Sequence, residues 1–265
     1  MSSINSSESL NDGKASVSHE SLPYRTITYS GEGDEYVIID NRKYLRHELM
    51  TAFAGAYNVN IAPPPTHQIG NAAAFGLAAF SLPTFALGCF NAHVKDIMVP
   101  NVILSLCMFY GGIGQMLAGF WEMYVGNTFA ATTFVSYGAW WFSYGAILTP
   151  NFGILAAYAE APEQAYNAIG FFLLGWAIFS FMCLLCVLKS TWAFIGLFQT
   201  LVLSFTLSAV AYMDNLNETY VRASGIISIF TAAFGWYLMW CATANSTNSY
   251  IGWYPFHVPV YGGKK

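Results

Sequence analysis

Among the polar side chains inside otherwise apolar blocks of the sequence, ten are candidates to coordinate a small solute. Hydroxyl and amide groups offer dipolar contacts, and no Lys or Arg falls near the middle of any block. Such a lining suits small neutral or weakly charged solutes, and it lacks the fixed cation that would trap a large polyanion. The ten are Thr84, Gln115, Thr132, Thr133, Ser136, Tyr137, Ser143, Tyr144, Gln199 and Thr200.

Glu122 is the acidic residue that lies well inside an apolar block. A carboxyl group at that depth is expensive in lipid, so it should face a polar interior or a partner group. Two interpretations stay open from the residues. Glu122 is either a gating or proton-linked group or an interfacial carboxyl whose side chain reaches water.

The sequence predicts neither an enzyme nor a bound cofactor. It contains no zinc-protease, serine-hydrolase, P-loop or dinucleotide-binding motif. All five histidines fall in tails or loops, so no metal site is expected within the apolar blocks. Cys183 and Cys186 form a C-x-x-C pair, but it lies within an apolar run, where packing is the favoured interpretation.

The composition indicates a membrane protein. Of the 265 residues, 55% are hydrophobic and only 9% are charged, whereas soluble domains carry about a quarter charged residues. A water-facing surface cannot be built from so few charges, so membrane lipid is an expected partner. The net charge is −4 and the sequence contains no basic block, which argues against a nucleic-acid partner.

Six apolar blocks, each long enough to cross a bilayer as a helix, predict an all-α membrane protein. The first, Asn71 to Asn91, has no charged side chain and would serve as the insertion signal. An even number of spans puts both termini on one side. The expected blocks are 71–92, 100–125, 129–149, 168–188, 191–213 and 223–244.

The distribution of Lys and Arg predicts which side the termini occupy. With six spans, eight of the ten basic residues fall on the same side of the membrane as the termini, and only Lys95 and Arg222 fall on the opposite side. Cytosolic loops carry the excess of basic residues, so both termini are expected in the cytosol.

The flanking segments are predicted from their polarity and periodicity. Residues 1–40 are rich in Ser, Glu and Asp and are expected to form a disordered cytosolic tail. Residues 41–70 are expected to hold an amphipathic helix and a proline-rich linker, the helix either lying on the inner membrane surface or packing on the bundle as a cap. The transmembrane domain covers 71–244, and 245–265 form a cytosolic C-terminal tail.

Several short motifs with matching spacing across all six blocks make the chain from about Tyr36 to His257 resemble the acetate uptake transporter family. That family includes fungal acetate and ammonium transporters and bacterial succinate–acetate permeases. The motifs are Phe109-Tyr110-Gly111-Gly112, Trp121-Glu122, Gly126-Asn127-Thr128-Phe129, Ser136-Tyr137-Gly138-Ala139-Trp140-Trp141, Gly170-Phe171-Phe172-Leu173-Leu174-Gly175-Trp176, Leu188-Lys189-Ser190-Thr191 and Asn248-Ser249-Tyr250.

The resemblance implies six helices per protomer, a homohexamer, and a narrow pore within each protomer for a small monocarboxylate such as acetate. Three residues from different helices pinch the pore in the family. By local motif and spacing they match Phe80, Tyr137 and Leu201. The Tyr137 hydroxyl is a candidate donor to the substrate carboxylate.

The family signature Asn-Pro-Ala-Pro-Leu-Gly-Leu at the start of the first span appears here with three substitutions. The chain reads Asn71-Ala72-Ala73-Ala74-Phe75-Gly76-Leu77, so both prolines are alanine and the first leucine is phenylalanine. The resemblance implies that this segment shapes the substrate vestibule. The expected vestibule residues are Asn71, Phe75, Gly76, Leu77, Thr84 and Gln115.

The resulting functional hypothesis is a multi-pass plasma-membrane channel or transporter for acetate-sized monocarboxylates, with Glu122 as the candidate group for a link to protons. Ammonia or ammonium export is an alternative, because a narrow, weakly polar pore serves either solute. A non-transporting sensor or scaffold is a second alternative, motivated by the altered signature and the polar N-terminal tail.

Overall fold

The computed structural model describes residues 28–39, 41–52, 69–252 and 254–259. The chain divides into two compact units, Met1–Ile69 and Gly70–Lys265. The predicted Pro-rich linker, and residues 1–27 of the predicted tail, lie outside the described residues.

The first unit contains a small antiparallel sheet in the order β1-β2-β3, followed by a short helix. The strands are β1 (Thr28–Ser30), β2 (Tyr36–Ile39) and β3 (Arg42–Leu45), and helix α1 spans Arg46–Ala52. The predicted amphipathic helix is therefore shorter than its pattern indicated, since Arg42–Leu45 is a strand. Asn41 adopts a left-handed conformation (φ 62°) at the turn, and Tyr44 then pairs with Val37 across the hairpin.

The second unit is helical. Its elements are α2 (Ala72–Asn91), α3 (Ile103–Met108), a π-helical segment (Phe109–Gly114), α4 (Gln115–Tyr124), α5 (Thr128–Leu148), α6 (Pro162–Cys186), α7 (Trp192–Met213) and α8 (Glu218–Thr243). Helix α3, the π-helical segment and α4 form one continuous 22-residue rod. Single 3₁₀ turns at Val94–Asp96, Pro150–Phe152 and Ala156–Tyr158 lie in the connections.

Five helical segments in the described part of the chain are long and apolar enough to cross a membrane. They correspond to five of the six predicted blocks and are Ala72–Asn91, Ile103–Tyr124, Pro162–Cys186, Trp192–Met213 and Glu218–Thr243. The remaining predicted block, 129–149, is helix α5. Many of its 21 residues are Thr, Ser, Tyr, Trp or Gly, which lowers its mean hydropathy. Ten of the 21 residues are buried.

Helix caps explain where the helices begin. Asn71, Asn127 and Thr191 each accept a backbone N–H hydrogen bond with the side chain, at the starts of α2, α5 and α7. Helices α6 and α8 begin six and five residues before their predicted apolar blocks, at 162 rather than 168 and at 218 rather than 223. Pro162 occupies the first turn of α6, and Asn217 caps α8 by accepting from the backbone N–H of Thr219 at 3.0 Å.

Helix α5 packs mainly on α4 and the π-helical segment, and its buried side chains also contact α6 and α7. Helix α2 packs on α8, α8 on α7, α7 on α6, and α4 on α5. The glycine-rich π-helical segment approaches α5 closely, because a Cβ on Gly111 would lie 2.7 Å from the Trp141 ring. The absence of that side chain lets α5 bury its aromatic residues between the other helices.

Candidate functional site

Two cavities lie within the second unit, one toward each end of the bundle. The Asn71 cavity, at the end where α2 begins, has a volume of about 620 Å³. The Ser204 cavity, at the end where α2 finishes, has a volume of about 290 Å³. The described residues that line them include no Asp, Glu, Lys or Arg. Both spaces are of a size that holds a small solute rather than a large polyanion.

Three helix N-termini converge on the Asn71 cavity. Asn71, Asn127 and Thr191 line it and cap α2, α5 and α7, as described above. The partial positive charge at a helix N-terminus attracts anions. This cavity therefore favours an anionic solute, although no Lys or Arg lines it among the described residues.

Hydroxyl groups line the Ser204 cavity. The Ser204 and Ser228 hydroxyls lie 2.6 Å apart, and Ser228 also donates to the Ser224 carbonyl at 2.9 Å. Thr84 donates to the Phe80 carbonyl at 2.7 Å. The Ser204 pair joins α7 to α8, so the polar wall of this cavity depends on the packing of two helices.

The three predicted constriction residues line both cavities, and no other described residue does so. Phe80 lies on α2, Tyr137 on α5 and Leu201 on α7, and all three are buried. The ring centroids of Phe80 and Tyr137 are 6.0 Å apart. The structure therefore brings the three together at the junction of the two spaces, although their role as a constriction stays a prediction.

Tyr137 is held in place by helix α6. Its hydroxyl oxygen lies 2.8 Å from the Ser180 hydroxyl, and both residues are buried. The rings of Trp176 and Phe179 pack on the Tyr137 ring at centroid distances of 6.0 and 5.4 Å. A donation from Tyr137 to a substrate thus requires Ser180 to be the donor of this hydrogen bond, since a phenol has a single proton.

We expect Ser180→Ala and Tyr137→Phe to have the same effect, because each removes this hydrogen bond. Losing it should cost about 1 kcal/mol and loosen the Tyr137 ring, which should raise the ratio of propionate to acetate flux. The double variant should resemble either single variant.

The effect on selectivity is measured as propionate and acetate flux in liposomes, and the effect on stability as the thermal unfolding of each variant. Ser143→Ala is the matched control, since Ser143 donates to the Ala139 carbonyl on an exposed face of α5. Additive effects of Ser180→Ala and Tyr137→Phe would show that the two side chains act separately.

The predicted vestibule residues are distributed over several places. Asn71, Leu77 and Gln115 line the Asn71 cavity, with Gln115 fully buried, whereas Thr84 lines the Ser204 cavity. Phe75 lies on an open surface depression beside Leu117 and Trp121. Gly76 lines neither cavity and lies against Phe134, whose ring would be 2.7 Å from a Cβ at that position.

Glu122 is buried near the end of α4 and lines neither cavity. Its Oε2 accepts a hydrogen bond from Asn127 Nδ2 at 2.7 Å. Asn127 in turn lines the Asn71 cavity. The carboxyl group is thus connected to the cavity through its hydrogen bond to Asn127, and its burial contradicts the interpretation of an exposed side chain that reaches water.

Sequence reasoning missed the contribution of the C-terminal segment. Pro255 and His257 line the Asn71 cavity. The segment is pinned to the α6–α7 turn, because Trp192 N–H donates to the Phe256 carbonyl at 2.9 Å and Val258 N–H to the Ser190 carbonyl at 3.0 Å. No local pattern in residues 245–265 indicates this strand-like pairing across more than 60 positions.

The serines of the Ser204 cavity were also missed as lining residues. The four form two pairs spaced by four residues, Ser204 with Ser208 on α7 and Ser224 with Ser228 on α8. That spacing places each pair on one helix face, and it is the sequence signal that could have indicated them.

Comparison with known proteins identifies the relatives of this arrangement. Residues 53–260 match the model of the GPR1/FUN34/yaaH family. The chain is 42% identical to ammonia transport outward protein 2 of Saccharomyces cerevisiae, over 88% of this chain and 82% of that protein. It is 42% identical to acetate permease A of Emericella nidulans, over 73% and 66%.

A solved structure shares the helical architecture. The structure of the bacterial acetate channel SatP matches with a TM-score of 0.58 and 31% sequence identity, over 65% of this chain and 91% of that one. The fold, the two cavities that meet at three residues and the similarity over most of the sequence agree with the resemblance found in the motifs. The chain belongs to the GPR1/FUN34/yaaH family of membrane proteins.

Proposed function

We propose that this protein conducts acetate and similar small monocarboxylates across the plasma membrane through a pore in each protomer. The observation that carries the proposal is the meeting of the Asn71 and Ser204 cavities at Phe80, Tyr137 and Leu201. In this proposal, the helix N-termini around Asn71 attract the carboxylate, and the three apolar side chains form a constriction that the solute crosses after losing water.

The membrane arrangement belongs to the same proposal. Helix α5 would cross the membrane as the sixth span, because it lies among the other five and has a comparable length. Both termini would be cytosolic, which makes the Asn71 cavity the inner one. A homohexamer would cover exposed apolar side chains such as Phe109 and Phe171, which are 74% and 68% exposed in the single chain.

Ammonia or ammonium export is the second candidate function. Relatives named ammonia transport outward proteins favour it. The converging helix N-termini favour an anion instead, which is why we place acetate first.

Flux measurements with purified protein in liposomes test the proposal. We expect labelled acetate to enter protein-containing liposomes faster than empty ones at pH 7.5, where most acetate is ionised and unaided diffusion is slow. Ammonium flux is measured in parallel and at a second, more acidic pH. Acetate flux equal to that of empty liposomes would contradict the proposal, and it would favour a sensor or scaffold if cells lacking the protein lose an acetate response.

Glu122 is the candidate for proton linkage, so Glu122→Gln should remove the pH dependence of acetate flux. An amide oxygen at this position can still accept from Asn127 Nδ2, so the fold should be retained. Glu218→Gln is the matched control, because Glu218 is an exposed carboxyl group paired with Arg222 at 2.6 Å. An unchanged pH profile in Glu122→Gln liposomes would place the proton linkage elsewhere.

A further inference from the structure

Residues 254–259 of the C-terminal segment are held on the bundle through main-chain groups. Two hydrogen bonds pair them with Ser190 and Trp192, as described above. A third runs from the Tyr237 hydroxyl to the Tyr254 carbonyl at 3.1 Å. We call residues 254–259 the strap, because they connect the start of α7 to the last turns of α8.

The strap directs alternate side chains toward the Asn71 cavity. Its two main-chain hydrogen bonds to the α6–α7 turn flank the antiparallel pair of Thr191 and His257. The side chains of such a pair lie close together on the same face. Thr191 is buried and lines the cavity. In an extended chain Pro255 shares the face of His257, whereas Phe256 lies on the opposite face. The cavity wall agrees with this alternation, since Pro255 and His257 line it and Phe256 does not.

Few apolar contacts hold the strap against the bundle. None of its six residues is buried, and Tyr254 and Phe256 are 83% and 70% exposed. The net contribution of each hydrogen bond to stability is small. A segment with exposed hydrogen bonds and little buried apolar surface opens locally at a low free energy. The strap can therefore leave the α6–α7 turn while α7 and α8 stay folded.

The strap lies at the rim of the Asn71 cavity. His257 is exposed and also lines the cavity, which places it where the cavity meets its surroundings. Release of the strap would remove Pro255 and His257 from the cavity wall. The opening would then be wider on the side of the α7 N-terminus, which is one of the three helix starts that attract an anion.

We propose that the strap is a gate at the opening of the Asn71 cavity, which narrows this opening when docked on the α6–α7 turn and lets solutes enter when released. This inference deepens the proposed function, on which it rests for the solute and for the cytosolic position of the opening. Phe80, Tyr137 and Leu201 limit passage in the middle of the path, and the strap limits access at its inner end. Access is thus controlled by a local equilibrium that needs no movement of the membrane-spanning helices.

The variant Val258→Pro tests the gate, because proline has no N–H to donate to the Ser190 carbonyl. Val258→Ala is the matched control, since it also shortens the side chain but keeps that hydrogen bond. Both are made in full-length protein that carries Ala130→Cys, a position on α5 that is 8% exposed and lines the cavity. The probe is sulfonatoethyl methanethiosulfonate, an anionic reagent that modifies thiols. Mass spectrometry of the peptide that contains residue 130 gives the rate of modification.

The thiol at position 130 should react about five times faster with Val258→Pro than with Val258→Ala, the factor expected for the loss of one hydrogen bond. Val258→Ala should react at the rate of the protein with valine at this position. Equal rates in the proline and alanine proteins would show that the strap does not restrict access to the cavity.

A reversible cross-link gives a second measurement that does not depend on a proline. Residues 190 and 258 lie opposite each other in the pairing, and Cα atoms of a hydrogen-bonded antiparallel pair are about 5.5 Å apart, within the span of a disulfide. Oxidation of the double variant Ser190→Cys/Val258→Cys should lower acetate flux into liposomes to less than about half of its reduced value, because every strap is then docked. Dithiothreitol should restore the flux.

The single variants Ser190→Cys and Val258→Cys, oxidised in the same way, are the controls for the cross-link. Neither can form the designed disulfide, and they reveal any bond to the native, exposed Cys186. Their acetate flux should not change with oxidation.

The outcomes separate this inference from the proposed function. Equal access to position 130, or a flux that oxidation of the double variant leaves unchanged, overturns the gate even if acetate is transported. Faster modification in Val258→Pro supports the gate even if liposomes show no acetate flux. In that case the transport proposal fails, and the strap still controls access to the cavity.

Discussion

Replacing Phe80 with alanine should raise the acetate flux per protein about tenfold and admit longer monocarboxylic acids, a change equivalent to about 1.4 kcal/mol in the barrier. Phe80 lines both cavities and faces the Tyr137 ring at their junction. Removing the ring joins the two spaces into a wider path, so a solute no longer passes a dry constriction. Initial rates of acetate and butyrate entry into liposomes measure the effect.

Phe85→Ala is the control for Phe80→Ala. Phe85 lies on the same helix but packs on Trp236 at a centroid distance of 5.2 Å, is 37% exposed and lines neither cavity. Its removal should leave both rates at the wild-type level. Leu201→Ala should act in the same direction as Phe80→Ala, because Leu201 borders the same junction. Wild-type rates for Phe80→Ala, Tyr137→Ala and Leu201→Ala would reject the constriction.

Replacing Gly225 with leucine should prevent the protein from folding. A Cβ on Gly225 would lie 2.7 Å from the Gly88 carbonyl oxygen, and one on Gly88 would lie 2.9 Å from the Gly225 carbonyl oxygen. The backbones of α2 and α8 are thus in direct contact. A backbone cannot move aside as a flexible side chain can. Even Gly225→Ala should lower the melting temperature by about 5 °C, from overpacking of 1–3 kcal/mol.

Gly175 provides the matched comparison on another helix. It lies on α6, and a Cβ at that position would meet no atom within 4 Å. Gly175→Leu should therefore keep the wild-type melting temperature and elution profile in size-exclusion chromatography. A folded, monodisperse Gly225→Leu protein would show that α2 and α8 do not need this close contact.

Local features of the sequence predicted most of the helical segments correctly. The positions of five membrane-compatible helices follow from uninterrupted apolar runs, because a chain in lipid must satisfy its backbone hydrogen bonds within each segment. The predicted first residues of α6 and α8 were less accurate. Pro162 and the cap Asn217 mark the starts of those helices in polar sequence, five to six residues before the apolar blocks that predicted them.

The pairing in the first unit was harder to predict. Tyr44 and Leu45 fit a helical pattern, and they form strand β3 because Tyr36 and Val37 lie opposite them in the sheet. A periodic pattern of four residues does not distinguish the two structures, since the hydrogen-bond partner is supplied by another segment.

The candidate site also combines features that local sequence predicts with features that depend on distant segments. The types of Phe80, Tyr137 and Leu201 and their family spacing suffice to nominate them, but they come from three helices and meet only through packing. Glu122 likewise is recognisable from its place in an apolar run as a carboxyl group to examine, but the sequence leaves open whether it is buried or reaches water. Its burial and its link to Asn127 depend on a hydrogen bond across the α4–α5 turn and on the packing around it.

Apolar run length and short motifs were thus enough to indicate a helical membrane protein, its family resemblance and the residues to examine first. Each of these features can be read from the sequence because it depends only on residues within one or two helical turns. The two cavities, the Ser204–Ser228 contact and the hydrogen bond between Tyr137 and Ser180 come from the folded bundle. Each of these depends on which helix lies opposite, and close packing between distant segments leaves no periodic mark in the sequence.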